Sequence, residues 1–230
     1  MNQPVAHPIT TAPGETHPTR HRSATTRHLL DCGVVAGPLF VTTAIAQVLT
    51  REGYDLTRHP ISLLSLGDLG WVQIANFVAT GVLVLAFAFG ARRVLRPGPA
   101  SRWGPVLLGA LGLGLVLGGV FVADPALGFP PGQTPPDSRS WHAYAHDVAP
   151  VLAVDGMVVG MLVFARRFAR QRRRGWLVAS VATPVAVLAL TAWPSLDGIS
   201  VRLALAMLLI LGWTTALAVE LRRNVSAAAR

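Results

Sequence analysis

Six apolar runs, each roughly 18–22 residues long, alternate with polar connections along this chain. A helical run of this length crosses the hydrocarbon core of a bilayer, which is about 30 Å thick, at about 1.5 Å of rise per residue. The pattern therefore predicts an all-α membrane protein, a bundle of six transmembrane helices. The predicted spans are residues 29–49, 71–90, 104–122, 144–164, 176–193 and 201–219.

Two further features of the sequence support these spans and predict their orientation. Indole rings favour the headgroup region of a membrane, and five of the six tryptophans stand at predicted span ends. All twenty basic residues are arginines: sixteen lie in the two tails and the second and fourth loops, and four in the other loops. Because arginine-rich connections stay in the cytoplasm, we expect a plasma (inner) membrane protein with both termini cytoplasmic.

Composition excludes a soluble domain, because 52% of the residues are hydrophobic and only 13% are charged, against about 25% charged in soluble domains. The chain of 230 residues has room for one bundle. We expect a disordered cytoplasmic tail over residues 1–27, a six-span domain over 28–221 and a cytoplasmic tail over 222–230. The net charge of +9 predicts contact with the lipid bilayer rather than with nucleic acid, since the arginines stand in short connections between helices.

The first loop combines a short helix with side chains that could bind a ligand. Proline is typical of the first position of a helix and glycine of the position after its end, so Pro60 and Gly67 predict a short helix over residues 60–66. Ser62 and Ser65 are three residues apart and would share one side of it. His59 stands immediately before this helix.

A second group of polar residues is predicted at the same end of the bundle. His142 and His146 are four residues apart at the start of the fourth span, so their imidazoles share one helical face. Asp124 ends the third span, and His59 belongs to the adjacent first loop. We expect at least three of these four side chains to line one outward-facing pocket, because buried polar groups are best satisfied by one another.

The same residues allow a second interpretation, a zinc site. Two histidines four apart can bind one zinc ion, Asp124 would add an oxygen ligand, and the metal would activate water against an ester or amide. The alternative is a metal-free network of His142, His146 and Asp124 that caps the helix or binds a ligand. The sequence leaves both open and indicates no other cofactor.

Asp155 is the costliest residue in the chain. An unpaired charge in the middle of a span costs at least about 2.5–3.5 kcal/mol. We therefore expect Asp155 to be buried against other helices. A hydrogen bond to Asn76, Gln73, a serine or a threonine is favoured there over a proton relay or a contact with a polar ligand.

Three stretches of the sequence resemble a known family: HPISLLSLGDLGWVQIANFVATG, GVFVADPALGFPPG and SWHAYAHDVAP. They are similar to the bacterial integral membrane proteins of domain-of-unknown-function family 998, over about residues 29–220. The resemblance implies six spans and no particular activity. On the matching positions it implies that the residues to test are Ser62, Ser65, Asp124, Pro125, His142 and His146. A looser similarity joins the chain to membrane hydrolases that include alkaline ceramidases, which use a serine, an aspartate and histidines around zinc.

Three functions follow as hypotheses. The first is a polar pocket open to the outer leaflet that binds or moves a small molecule or lipid. The second is an intramembrane metal-dependent hydrolase that acts on a lipid-like substrate with the same residues. The third is a structural membrane subunit. The sequence leaves the oligomeric state open, and the candidate ligand-binding residues are His59, Ser62, Ser65, Asp124, His142 and His146.

Overall fold

The computed structural model describes residues 18–227, and their side chains from residue 24 onward. Among these residues the secondary structure is helical, and six helices are long and apolar enough to cross a membrane, as predicted. Between the first two helices lies a short 3-10 helix, Ile61–Ser65, which confirms the helix predicted in the first loop. The six long helices are α1 Pro18–Thr50, α2 Gly70–Val94, α3 Trp103–Val120, α4 Trp141–Arg170, α5 Arg174–Thr191 and α6 Ile199–Ala227.

Both outermost helices extend into the predicted tails. Residues 18–27 were predicted to be disordered, but they begin α1, where Pro18 suits the first helical position. Residues 222–227 were predicted to form a tail, but they continue α6, since neither proline nor glycine follows residue 212. An ion pair between Asp31 of α1 and Arg222 ties the extension of α6 to α1. The rest of both predicted tails, residues 1–17 and 228–230, lies outside the described residues.

The six helices form a closed ring. Each helix packs against the next one in the chain, and α6 packs back against α1. The helices α2 and α3 approach each other closely at Gly81 and Gly112. A Cβ atom on Gly81 would lie 2.6 Å from the carbonyl oxygen of Gly112, and one on Gly112 would lie 2.8 Å from that of Gly81. Small residues let transmembrane backbones approach in this way, so this contact depends on both glycines.

The ring has two ends that differ in packing. The arginine-rich end is formed by the second and fourth loops and the helix termini, and the arginine-poor end by the first, third and fifth loops. Toward the arginine-rich end, large buried side chains such as Phe87, Phe164 and Trp213 fill the centre. Toward the arginine-poor end, small residues of α3, α4 and α6 leave space in the centre, among them Gly114, Gly118, Ala149, Ala153 and Ala204.

Asp155 faces outward from α4, so the prediction that it is buried was wrong. Ala153, Met157, Met161 and Phe164 form the buried stripe of α4. Within α4, residues 151–155 form a π-helical turn, and Asp155 lies two residues from both Ala153 and Met157, so packing of these two buried residues turns the acid to the outside. The proposed partners Gln73 and Asn76 hydrogen-bond to α1 instead.

Candidate functional site

A cavity of about 170 Å³ lies inside the ring toward the arginine-poor end. Five of the six helices contribute to its wall, together with the 3-10 helix of the first loop. An engineered apolar cavity of about 150 Å³ binds benzene, whereas pockets for drug-sized ligands measure about 300–1,000 Å³. The cavity can therefore accept a small molecule or a short segment of an alkyl chain. It is lined by Phe40, Pro60, Ile61, Ser62, Phe77, Gly114, Leu115, Gly118, His146, Ala149, Pro150, Ala153, Val154, Leu203, Ala204 and Met207.

Within residues 24–227, Ser62 and His146 are the only lining residues of the cavity with polar side chains, and both were predicted site residues. The Nδ1 atom of His146 lies 2.7 Å from the carbonyl oxygen of Phe121. Because a carbonyl oxygen can only accept, Nδ1 carries the proton and the neutral imidazole keeps a free lone pair on Nε2. His146 can thus accept a hydrogen bond from a ligand, and the hydroxyl of Ser62 can donate or accept one.

An apolar groove on the outside of the ring adjoins the cavity. It lies between α1 and α6, has a volume of about 230 Å³, and shares Phe40, Ile61, Ala204 and Met207 with the cavity wall. Among the residues whose side chains the structure describes, those that line this groove are all apolar. An apolar molecule could therefore reach the cavity sideways, from the lipid that surrounds the bundle.

His59 belongs to a layer of loops over the arginine-poor end rather than to the cavity wall. We call residues 51–69 and 121–140 the loop cap. The backbone N–H of Asp55 donates to Nδ1 of His59 at 3.0 Å, so Nε2 carries the proton and donates to the carbonyl oxygen of Leu127 at 3.2 Å. The imidazole also contacts the rings of Tyr54 and Phe129. His59 joins the first loop to the third and holds the segment that contains Ser62.

Asp124 and His142 lie near each other at the start of α4, outside the cavity wall. The backbone N–H of Ser140 donates to Asp124 at 2.8 Å, and the Ser140 hydroxyl oxygen accepts from the N–H of Ala143 at 3.2 Å. Asp124 and Ser140 cap the N-terminus of α4, since they accept hydrogen bonds from backbone N–H groups that have no partner within the helix. His142 is exposed, and its ring packs on Trp141 with 3.8 Å between centroids.

The arrangement does not favour a zinc site. Within the part of the chain that the structure describes, no group of three or more His, Cys, Asp or Glu side chains could hold a metal ion. The three predicted ligands have different surroundings. His146 lines the cavity, Asp124 accepts a hydrogen bond from the backbone of Ser140, and His142 packs on Trp141.

Gln47, Gln73 and Asn76 form a buried cluster of amide side chains that was not predicted from the sequence. The side-chain amide of Gln47 donates to Oε1 of Gln73 at 2.6 Å, and Asn76 donates to the same oxygen and to the carbonyl oxygen of Phe40, both at 3.2 Å. This cluster ties α1 to α2 beside the cavity residue Phe40. The signal in the sequence for this amide cluster is the presence of isolated amide residues within two apolar spans.

Ser65 is buried elsewhere in the loop cap and does not line the cavity.

Comparison with known proteins gives one family. The model of the family described as "Protein of unknown function (DUF998)" matches residues 34–220. The chain belongs to this family. The match covers α1 from residue 34, α2 to α5 in full, α6 up to residue 220, the loop cap and every residue of the cavity wall. This DUF998 protein is therefore a multi-pass membrane protein whose candidate site lies within the family domain. No curated protein and no solved structure matches it.

The capping role of Asp124 predicts a dependence of stability on pH. Hydrogen bonds from Ser140 hold the pKa of this carboxyl below its ordinary value of 3.8. A pKa that is lower in the folded state means that the ionised carboxyl stabilises the folded state above its ordinary pKa. This stabilisation is lost as the pH falls through the lowered pKa of the folded state. We expect wild type to melt at a higher temperature than Asp124→Asn at neutral pH, and this difference to vanish in acid. Asp137→Asn, an exposed acid of the same loop, serves as the control. A difference that persists in acid would contradict this origin.

Proposed function

We propose that this DUF998 protein binds an amphipathic, lipid-like molecule in the cavity, and that the ligand enters from the membrane between α1 and α6. The observation that carries the proposal is the pairing of Ser62 and His146 in an otherwise apolar wall. A molecule with an apolar body and one polar group matches this lining. The polar group would be a hydroxyl or a carboxylic acid, which can donate to Nε2 of His146.

The surroundings of the cavity support lateral entry. The α1–α6 groove shares four residues with the cavity wall and is apolar throughout, as expected of a surface in contact with acyl chains. The loop cap lies across the arginine-poor end, where Phe129 is buried between Tyr54 and His59. A ligand that arrives through lipid needs no opening in this cap.

A series of probes with one chain length tests the polar part of the site. Dodecanol and dodecanoic acid should raise the melting temperature of the protein in phosphatidylcholine nanodiscs, and dodecane should raise it less. We expect Ser62→Ala and His146→Leu each to weaken binding of dodecanol about fivefold, the effect of one hydrogen bond of about 1 kcal/mol. Equal binding of dodecane and dodecanol would contradict a role for the two polar side chains.

Filling the cavity tests its location. Ala204→Leu places a larger side chain in the wall that the cavity and the groove share, so it should abolish the response to dodecanol. Ala182→Leu makes the same change on the exposed face of α5 and should leave the response intact. If both variants bind dodecanol as wild type does, the ligand lies elsewhere and the proposal fails.

We also propose that the protein lies in the plasma membrane with both termini in the cytoplasm. The sixteen-to-four distribution of arginines supports this orientation. Reporter fusions after Arg96, Arg172 and Arg223 should then report the cytoplasm, and a fusion at Gln133 should report the outside. An outside signal at Arg172 would overturn the orientation, because the fourth loop has the strongest charge bias.

A further inference from the structure

A second groove, of about 510 Å³, lies at the arginine-rich end, remote from the cavity. Residues 98–102 of the second loop and Trp103 form one side, and α4 forms the other. Three arginines line it: Arg102 from the loop and Arg166 and Arg170 from the last turns of α4. All three are exposed, so their charges are available to a ligand.

The three arginines have no acidic partner among the described residues. The acids described at this end are Asp31 and Glu220, and each pairs with another arginine: Asp31 with Arg222, and Glu220 with Arg173 at 2.6 Å. The groove therefore concentrates three positive charges that no side chain of the described residues neutralises. An anion is the complement that such a surface requires.

The rest of the groove is apolar and continues toward the middle of the membrane. Val159, Leu162 and Val163 of α4 form its floor, and Trp103 stands at its edge. Val159 is eleven residues from Arg170, about 16 Å along a helix at about 1.5 Å per residue. A free anion would contact only the arginines. An anion that also has an apolar chain would contact both the arginines and this floor.

The second loop is held against α4, so the groove is already formed. The Arg167 side chain donates hydrogen bonds to the carbonyl oxygens of Leu95 and Pro99, both at 2.9 Å. The guanidinium of Arg102 lies over the ring of Trp103, 5.8 Å from its centroid. These contacts fix the positions of the loop arginine and the tryptophan relative to the arginines of α4.

We propose that this groove binds one anionic phospholipid. Its phosphate lies among Arg102, Arg166 and Arg170, and an acyl chain follows Val159 and Leu162. Guanidinium groups bind phosphate with two parallel hydrogen bonds, and basic pockets between transmembrane helices suit anionic headgroups. The site is independent of the cavity and does not rest on the function proposed for it.

Lipid retention on the purified protein tests this proposal. We expect native mass spectrometry to detect bound dioleoyl phosphatidylglycerol on the wild type, and little bound dioleoyl phosphatidylcholine. The triple variant R102Q/R166Q/R170Q should bind phosphatidylglycerol on the order of 100-fold more weakly, since each arginine near an anionic surface contributes about fivefold. The matched control R92Q/R93Q/R223Q removes three exposed arginines from the same end and should retain the lipid.

Two comparisons distinguish a lipid site from a general effect of charge. Glycerol phosphate has the same anionic chemistry without chains, so it should not displace the lipid at comparable concentration. Leu162→Gln alters the apolar floor and keeps all three arginines, so it should weaken phosphatidylglycerol binding as well. Equal loss of lipid in both triple variants, or displacement by glycerol phosphate, would overturn the proposal.

Discussion

Replacing Asp155 with leucine should make insertion of α4 into the membrane more favourable by about 2.5–3.5 kcal/mol, the cost of a charged residue at the middle of a span. It should leave the melting temperature of the folded bundle no lower than that of the wild type. The reason is that the Asp155 side chain is exposed on the outside of α4 and forms no hydrogen bond or ion pair with another side chain of residues 24–227. The fraction of full-length chains in which α4 is inserted into the membrane measures the effect on insertion. Thermal unfolding in detergent measures the effect on the melting temperature.

Two substitutions on the same helix serve as controls for Asp155→Leu. Val159→Leu replaces one apolar side chain with another on the same exposed face, so both measurements should stay at the wild-type value. Gly160→Leu adds volume at a buried position where a Cβ atom would lie only 3.2 Å from that of Leu107, so it should lower the melting temperature, since overpacking costs about 1–3 kcal/mol. If Asp155→Leu lowered the melting temperature as Gly160→Leu does, the acid would have a partner that covers it.

Replacing Phe129 with alanine should destabilise the protein by about 3–5 kcal/mol, the usual cost of truncating a buried phenylalanine. Only 1% of this side chain is exposed, although it belongs to a loop. Its ring packs edge-on against Tyr54 at 5.4 Å, and the Arg51 guanidinium lies 5.7 Å from its centroid. Thermal unfolding measures the loss, and proteolysis should cut the third loop faster in the variant because the loop cap loosens.

Phe89→Ala is the matched control for Phe129→Ala. The Phe89 side chain of α2 is 65% exposed on the outside of the ring, so truncating it leaves no cavity within the protein and should have little effect. Phe129→Leu should be intermediate, because it keeps part of the buried volume. Equal effects of Phe89→Ala and Phe129→Ala would contradict a specific role for the ring in the loop cap.

The six spans could be predicted from the sequence because length and hydrophobicity are local properties. A run of about 20 apolar residues must form a helix in a bilayer, where every backbone hydrogen bond has to be satisfied within the segment. The short helix of the first loop followed from Pro60 and Gly67, which restrict the backbone wherever they stand. The helices α1 and α6 extend beyond the predicted spans, because polar residues can continue a helix past the apolar run that crosses the bilayer.

The candidate site was only partly predictable. Spacing correctly put His142 and His146 near one end of α4, but it did not reveal which of them faces the centre of the ring. His146 lines the cavity because the small residues that follow it in α4 face the centre of the ring. His142, one turn earlier, lies outside the cavity wall and packs on Trp141. Ser62 and His146 are 84 positions apart in the sequence, and only the arrangement of the first loop and α4 around the same space brings them to one cavity.

The sequence by itself therefore determined the number of spans, their approximate limits and the unequal distribution of charge, because each of these depends on residues close together in the chain. Tertiary structure decided which face of each helix is buried. It turned Asp155 outward, since Ala153 and Met157 on either side of it pack into the bundle. It also built the cavity and the arginine groove from distant segments, because both are spaces between helices and exist only once the ring has closed.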